Sequence, residues 1–108
     1  TAMRASRPGM FEYEIEALLE YEFRRQGCTG PGYGSIVASG DNANILHYVE
    51  NNAQMREGDL LLVDAGGSWD YFTADLTRTW PLSGTFSAAQ REVYEIVLAA
   101  NLAGIELT

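Results

Sequence analysis

Cysteine and basic residues are the scarce components of this sequence. It has a single cysteine, Cys28, which excludes an internal disulfide and a cluster of thiolate metal ligands. Only 7 Lys and Arg residues stand against 15 Asp and Glu residues, and the formal net charge of −8 argues against partners such as nucleic acid or an anionic membrane surface. The acidic excess has two interpretations, a solvated surface or carboxylates gathered to bind hard cations.

Long apolar runs are also missing. No uninterrupted stretch approaches the roughly 18 residues that span a bilayer, and no charged start followed by an apolar segment marks a secretion signal. Together with the lone Cys28, these absences predict a soluble protein of the cytoplasm. Hydrophobic residues nevertheless make up 46% of the 108 residues, which is enough for a packed core.

The two ends of the sequence suggest a longer parent. The chain begins at Thr1 without an initiator Met, and it stops at Thr108 directly after an apolar helical run, with no Gly or Asn cap beyond it. We therefore expect residues 1–108 to be one part of a larger domain.

Apolar periodicity predicts helices and strands in one α+β unit. Apolar residues recur at helical spacing from Phe11 to the Gly27 stop, and the acidic residues of this segment, Glu12 to Glu22, are assigned to its solvated face. Ser87 to Gln90 has the spacing of a capping box and opens a last helix. The remaining predicted elements are a loop at 30–34, a strand at 35–39, a turn at 40–44, a brief extended stretch at 45–48 and a hairpin at 60–80.

The hairpin carries the clearest chemical signal, two aspartates. Asp64 follows four apolar residues, and Asp75 falls within the predicted returning strand. If the turn is centred between Trp69 and Asp70, Asp64 and Asp75 face each other directly. Like charges so placed destabilise a sheet, so we expect a positive charge between them.

Three arrangements would relieve this repulsion. The carboxylates can share a proton, hold an arginine, or bind a divalent metal ion. Arg78 is three residues from Asp75 and points to the opposite face of a strand, which favours metal over an internal ion pair. On these residues alone, however, purely structural aspartates remain as good an explanation.

Several segments together resemble a known family of peptidases. They are Ile36–Gly40, Ile45–Asn51, Val63–Gly66 and Thr73–Thr79, and their order and spacing are similar to those of aminopeptidase P and prolidase, the pita-bread metallopeptidases. The resemblance runs from Arg7 to Glu92. It implies an α+β fold in which residues 1–108 form the N-terminal half of a pita-bread catalytic domain, an antiparallel sheet with helices on one face.

The resemblance also implies a metal site and a catalytic histidine. The family holds two divalent ions, manganese in the bacterial branch, with two Asp, one His and two Glu; Asp64 and Asp75 match the two Asp. The other three ligands belong to the family's C-terminal half. His47 matches an active-site histidine that hydrogen-bonds the substrate, although a lone loop histidine can also be satisfied by backbone groups.

The implied activity is removal of the N-terminal residue from peptides with proline in second position, with a water bridging two metal ions as nucleophile. The alternatives are a prolidase, which cleaves Xaa-Pro dipeptides, and a non-catalytic binding module on the same fold. The implied partners are a peptide substrate, the missing C-terminal half and, for the parent, further copies of itself. Because three ligands are absent, we expect the isolated chain to be inactive.

Overall fold

The computed structural model describes all of residues 1–108. Two helices come first, followed by six short strands and a long final helix. In chain order the elements are α1 (Ala2–Ala5), α2 (Glu12–Arg25), β1 (Gly30–Pro31), β2 (Ile36–Ser39), β3 (Leu60–Ala65), β4 (Gly67–Trp69), β5 (Phe72–Thr73), β6 (Leu76–Pro81) and α3 (Ala88–Glu106), with a 3-10 turn at Gly40–Asn44 between β2 and β3. The α+β class predicted from the sequence is confirmed.

The strands form two small antiparallel sheets with a shared hairpin. The first sheet has the order β2-β3-β6, and the second has the order β1-β4-β5. The chain from β3 through β4 and back through β5 to β6 is one long hairpin that contributes to both sheets. Gly66 on one side of the hairpin, and Ala74 and Asp75 on the other, lie between the strands and separate the two sheets.

The core lies between α2 and one face of the first sheet. β3 alternates between buried and half-buried residues, and Leu61, Val63 and Ala65 point toward the helix. Ile15 of α2 and Val37 of β2 complete this core, and both are fully buried. Burial of these side chains fixes α2 on the sheet and so fixes the start of the helix relative to β2.

The hairpin register differs from the one predicted. Asp64 is paired with Thr77, two residues beyond the expected partner Asp75. The turn is at Asp70 and Tyr71, which have φ of 47° and 69°, and Gly67 to Trp69 is strand rather than turn. Positive φ at both central residues is the geometry of the tight hairpin turns whose twist matches that of the flanking strands.

Three other local predictions were wrong. Gly30–Pro31 is a short strand paired with β4 instead of plain loop. Residues 45–48 form a turn, closed by a hydrogen bond from the Tyr48 N–H to the Ile45 carbonyl at 3.3 Å, instead of an extended stretch. Glu12 is fully buried, so it does not belong to the solvated face of α2.

Helix α3 is the least covered element. Its start is the predicted capping box, in which the Gln90 N–H donates to Ser87 Oγ and the Ser87 N–H donates to Gln90 Oε1. None of its residues is buried, and an open groove of about 860 Å³ separates its apolar residues from Leu60 and Thr79 of the sheet. The helices of this chain lack the combination of length and apolarity that would let any of them cross a membrane.

Candidate metal centre

Asp64 and Asp75 meet at the hydroxyl of a tyrosine. Tyr33 Oη lies 2.5 Å from Asp64 Oδ1 and 3.3 Å from Asp75 Oδ1. Asp64 is near the end of β3, and Asp75 lies in the break just before β6. The register shift by two residues keeps the side-chain alternation in phase, so the two carboxylates come together although they are not direct partners.

A glycine allows the hairpin strands to approach closely beside the two aspartates. A methyl group at Gly66 would overlap the backbone carbonyl oxygen of Ala74, the residue before Asp75. The Gly66 carbonyl also accepts a hydrogen bond of 2.8 Å from the Gly32 N–H, which attaches the loop of Tyr33 to the hairpin. Gly66 therefore sets the positions of both Asp75 and Tyr33 relative to Asp64.

No cation of the chain neutralises this carboxylate pair. Neither Asp64 nor Asp75 forms a salt bridge, and Arg78 is exposed and donates to the Thr77 carbonyl at 2.7 Å. The prediction that Arg78 forms no ion pair with the two aspartates is confirmed. Asp64 is half-buried and Asp75 is exposed, because no element of the chain covers this side of the hairpin.

The pair fits part of a site for hard divalent cations. Carboxylate oxygens are the donors that Mn²⁺ and Mg²⁺ prefer, and two anionic groups that share a single hydroxyl proton retain most of their lone pairs for a cation. No third His, Cys, Asp or Glu joins them, so the chain by itself has no complete set of ligands. His47 in particular is not part of this cluster.

The Tyr33 hydroxyl holds its proton firmly at this position. Burial raises the pKa of Tyr33 well above its ordinary value of 10, and the hydrogen bond and negative charge of Asp64 raise it further, with a smaller effect of Asp75. Tyr33 is thus a hydrogen-bond donor to the carboxylates over the whole physiological range. No local pattern predicts this role, because Tyr33 stands between two glycines and 31 residues before Asp64.

His47 lies in the turn at 45–48 and is exposed. Its φ of 58° is in the left-handed region, and its side chain forms no hydrogen bond with the rest of the chain. The predicted substrate-binding histidine is therefore free to contact another molecule. The interpretation of His47 as a loop histidine satisfied by the backbone does not match this geometry.

Glu12 forms a second polar centre that the sequence analysis missed. Its carboxylate is fully buried and accepts hydrogen bonds from both ends of the segment that contains His47. The donors are Ser39 N (2.8 Å), Ser39 Oγ (2.7 Å), Asn42 Nδ2 (3.1 Å), Tyr48 Oη (2.6 Å) and Ala53 N (3.0 Å). A signal was present, because Glu12 shares the apolar face of α2 with Ile15, three residues later.

Comparison with known proteins decides the family. The sequence model of "Metallopeptidase family M24" matches residues 1–108, the whole chain. The chain belongs to this family. The resemblance to the aminopeptidase P and prolidase group seen in the sequence is confirmed.

Curated relatives within family M24 are Xaa-Pro aminopeptidases. The chain is 53% identical to the Xaa-Pro aminopeptidase of Escherichia coli over 97 residues, which are 90% of this chain and 22% of that protein. It is 51% identical to the Xaa-Pro aminopeptidase of Haemophilus influenzae over 106 residues, which are 98% of this chain and 25% of that protein. The chain thus spans about a quarter of the length of these M24 relatives.

Solved structures agree with the fold. Aminopeptidase PepP of Pseudomonas aeruginosa superimposes with a TM-score of 0.93 at 57% identity over 94% of this chain and 23% of that one. Zinc-substituted aminopeptidase P of E. coli, in complex with product, gives a TM-score of 0.89 at 52% identity over 91% of this chain and 22% of that one. The predicted fold, an α+β pita-bread part with an antiparallel sheet, is confirmed for this M24 chain.

Proposed function

We propose that this chain is the N-terminal half of the catalytic domain of an Xaa-Pro aminopeptidase. The whole enzyme would remove the first residue from peptides that have proline in second position. The proposal is supported by the identity of 51–53% to two bacterial Xaa-Pro aminopeptidases over nearly the whole chain. It assigns Asp64 and Asp75 as metal ligands and His47 as the catalytic residue that contacts the substrate.

The observation that carries the proposal is the uncompensated pair of carboxylates. Asp64 and Asp75 converge on one hydroxyl, no arginine or lysine neutralises them, and they lie on an open side of the hairpin. Such a pair costs stability in a sheet unless a cation is present. A solved relative, aminopeptidase P of E. coli, is zinc-substituted, which supports a divalent metal in the whole enzyme.

The chain's own residues would have three tasks. Asp64 and Asp75 would hold the ions, and Tyr33 would donate its hydrogen bond to Asp64 and so keep that carboxylate in a fixed orientation. His47 would hydrogen-bond the substrate next to the scissile bond as the carbonyl becomes tetrahedral. Two divalent ions, when bound, would lower the pKa of a bridging water toward neutrality and polarise the scissile carbonyl.

The remaining parts of the proposal concern the complete protein. The other three ligands would come from residues beyond this sequence, which would also cover the exposed apolar residues of α3. The isolated chain would therefore be inactive. We further propose manganese as the metal, a homo-oligomeric parent, and a cytoplasmic location, the last because Cys28 is a free thiol.

Calorimetric titration of Mn²⁺ tests this function directly. The full-length protein that contains this sequence should bind two ions and cleave an Xaa-Pro peptide, and Asp75→Asn should lower kcat by more than about 100-fold, the upper range for loss of a group that merely orients a metal ligand. The 108-residue chain should bind Mn²⁺ only weakly, because a partial ligand set gives little affinity.

Glu57→Gln is the matched control for that experiment. Glu57 is an exposed carboxylate outside the candidate centre, and its substitution should leave Mn²⁺ binding and cleavage unchanged. Cleavage of Xaa-Pro dipeptides in preference to longer peptides would favour a prolidase. A full-length protein that neither binds Mn²⁺ nor cleaves either substrate would be a non-catalytic module, and the two aspartates would then be structural.

A further inference from the structure

The segment between β2 and β3 that contains His47 has little regular structure of its own. It begins with the 3-10 turn at Gly40–Asn44, continues through the turn at 45–48, and reaches the irregular residues up to 59. Two of its non-glycine residues, His47 and Asn51, have positive φ. Such backbone conformations are disfavoured for non-glycine residues and persist where surrounding contacts determine them.

The Glu12 carboxylate makes five of those contacts. Its Oε1 accepts from the Ser39 N–H, from the Ser39 hydroxyl and from the Asn42 amide. Its Oε2 accepts from the Tyr48 hydroxyl and from the Ala53 N–H. One carboxylate at the start of α2 thus joins residues 39, 42, 48 and 53, and its contacts at Asn42 and Tyr48 lie on the two sides of His47.

A second anchor works independently of Glu12. The Asn51 side chain accepts from the Val37 N–H at 3.0 Å and donates to the Ser35 carbonyl at 2.8 Å, so it pairs with β2 as a strand would. Asn51 is 1% exposed, and asparagine is among the residues that tolerate a positive φ. The Tyr48 ring also packs against Ile36 and Ala38, on the side of the sheet away from the main core.

From this geometry we infer that Glu12 is a positioning residue that holds residues 39–53, and with them His47, in the place needed for substrate binding. Glu12 itself contacts neither the substrate region nor the aspartates, since it is fully buried beneath the segment. It acts through Tyr48, the residue next to His47. The effect of Glu12 on catalysis rests on the proposed function. Its positioning of residues 39–53 does not.

A carboxylate is required because all five partners are donors. Glu12→Gln keeps the size of the side chain but replaces one acceptor oxygen with an NH₂ group, which then faces the Ala53 N–H or the Ser39 N–H. Neither backbone donor can turn away. The matched control is Glu20→Gln, which makes the same change on the same helix at a half-exposed side chain with no hydrogen-bond partner.

The kinetic test uses a double-mutant cycle in the full-length protein with manganese bound. Glu12→Gln should lower kcat on an Xaa-Pro peptide about 10-fold with bound Mn²⁺ unchanged, as expected for loss of a group that orients an active-site residue. In a His47→Ala background the same substitution should cause no further loss, because its effect passes through His47. If Glu12→Gln lowers kcat by the same factor in the His47→Ala background, or if it reduces the amount of bound Mn²⁺, the inference is overturned.

Tyr48→Phe keeps the test decisive if Glu12→Gln does not fold. It removes only the hydroxyl that joins Glu12 to the neighbour of His47. We expect a smaller fall in kcat, about 3-fold, again absent in the His47→Ala background. An unchanged kcat in the presence of His47 would overturn the inference.

Hydrogen exchange gives a readout that does not depend on activity. Glu12→Gln should accelerate amide exchange of residues 39–53 roughly 10-fold more than it accelerates exchange of β3 and β6. Uniform acceleration, or none, would show that Glu12 does not hold the segment. Failure of the proposed function would instead appear in the unsubstituted protein, as absence of Xaa-Pro cleavage.

Discussion

Glu12 and the Asp64–Asp75 pair are two carboxylate sites of opposite character in one small chain. Glu12 is fully buried and accepts five hydrogen bonds, so nearly all of its lone pairs have partners. Asp64 and Asp75 share a single hydroxyl and lie at a side of the hairpin that no element covers. The first site is complete within these 108 residues, and the second is not.

The difference separates a structural role from a chemical one. A buried carboxylate with all of its donors in place fixes the backbone around it and has no capacity for another ligand. Two neighbouring carboxylates without a cation cost stability and retain that capacity. Proteins keep such unfavourable arrangements at functional sites, which is why we propose metal binding for the Asp64–Asp75 pair and not for Glu12.

The largest expected effect is the loss of folding stability when Glu12 is substituted. Glu12→Gln places an NH₂ group against a buried N–H, and a buried donor without an acceptor costs about 1–3 kcal/mol. We expect the free energy of unfolding of the chain, measured with urea and circular dichroism, to fall by that amount. Glu20→Gln should change it by less than about 0.5 kcal/mol. Equal effects of the two substitutions would mean that the network around Glu12 contributes nothing.

The pH dependence of unfolding sharpens the same point. Burial acts to raise the pKa of Glu12, but hydrogen bonds from Tyr48, Asn42 and Ser39 outweigh it and hold the pKa below the ordinary value of 4.5. The unfolded chain therefore binds a proton at Glu12 before the folded chain does. The stability contributed by Glu12 is present above pH 4.5 and is lost as the pH falls through the folded-state pKa.

Urea midpoints at pH 7, 5, 4 and 3 measure this loss, which should be smaller in Glu12→Gln. Tyr48 does not titrate in the window, because burial and its hydrogen bond to Glu12 raise its pKa to about 12. Glu22 does contribute, since the hydrogen bond from Arg25 lowers its pKa to about 2, so Glu22→Gln is examined alongside. An acid dependence in Glu12→Gln as steep as that of the unsubstituted chain would contradict the assignment.

The elements with strong local signals could be predicted from the sequence. Apolar periodicity located α2, and Ser87 with Gln90 located the start of α3. The hairpin register could not be predicted, because its turn at Asp70–Tyr71 contains no glycine and is centred one residue beyond the predicted centre between Trp69 and Asp70. Gly66 allows the close approach of two backbone segments, a tertiary requirement that leaves no local pattern.

The candidate site divides in the same way. Asp64 and Asp75 were identifiable because a carboxylate directly after an apolar run and one within a predicted strand are unusual, and the resemblance added His47. Tyr33 was not identifiable, since its contacts with the aspartates join residues far apart in sequence. Glu12 could have been found from its position on the apolar face of α2, but a glutamate in an acidic helix is more often solvated.

The smallest expected effect has the opposite sign to that of Glu12→Gln. Asp75→Asn also replaces a carboxylate with an amide, but it removes a like charge from beside Asp64. In the metal-free chain we expect the free energy of unfolding to rise by about 0.2–1 kcal/mol, the range for interacting side chains on neighbouring strands. Glu57→Gln, at an exposed residue outside the pair, controls for the change in net charge. If Asp75→Asn instead destabilises the chain as much as Glu12→Gln does, the pair is already compensated without metal, and the contrast between the two sites fails.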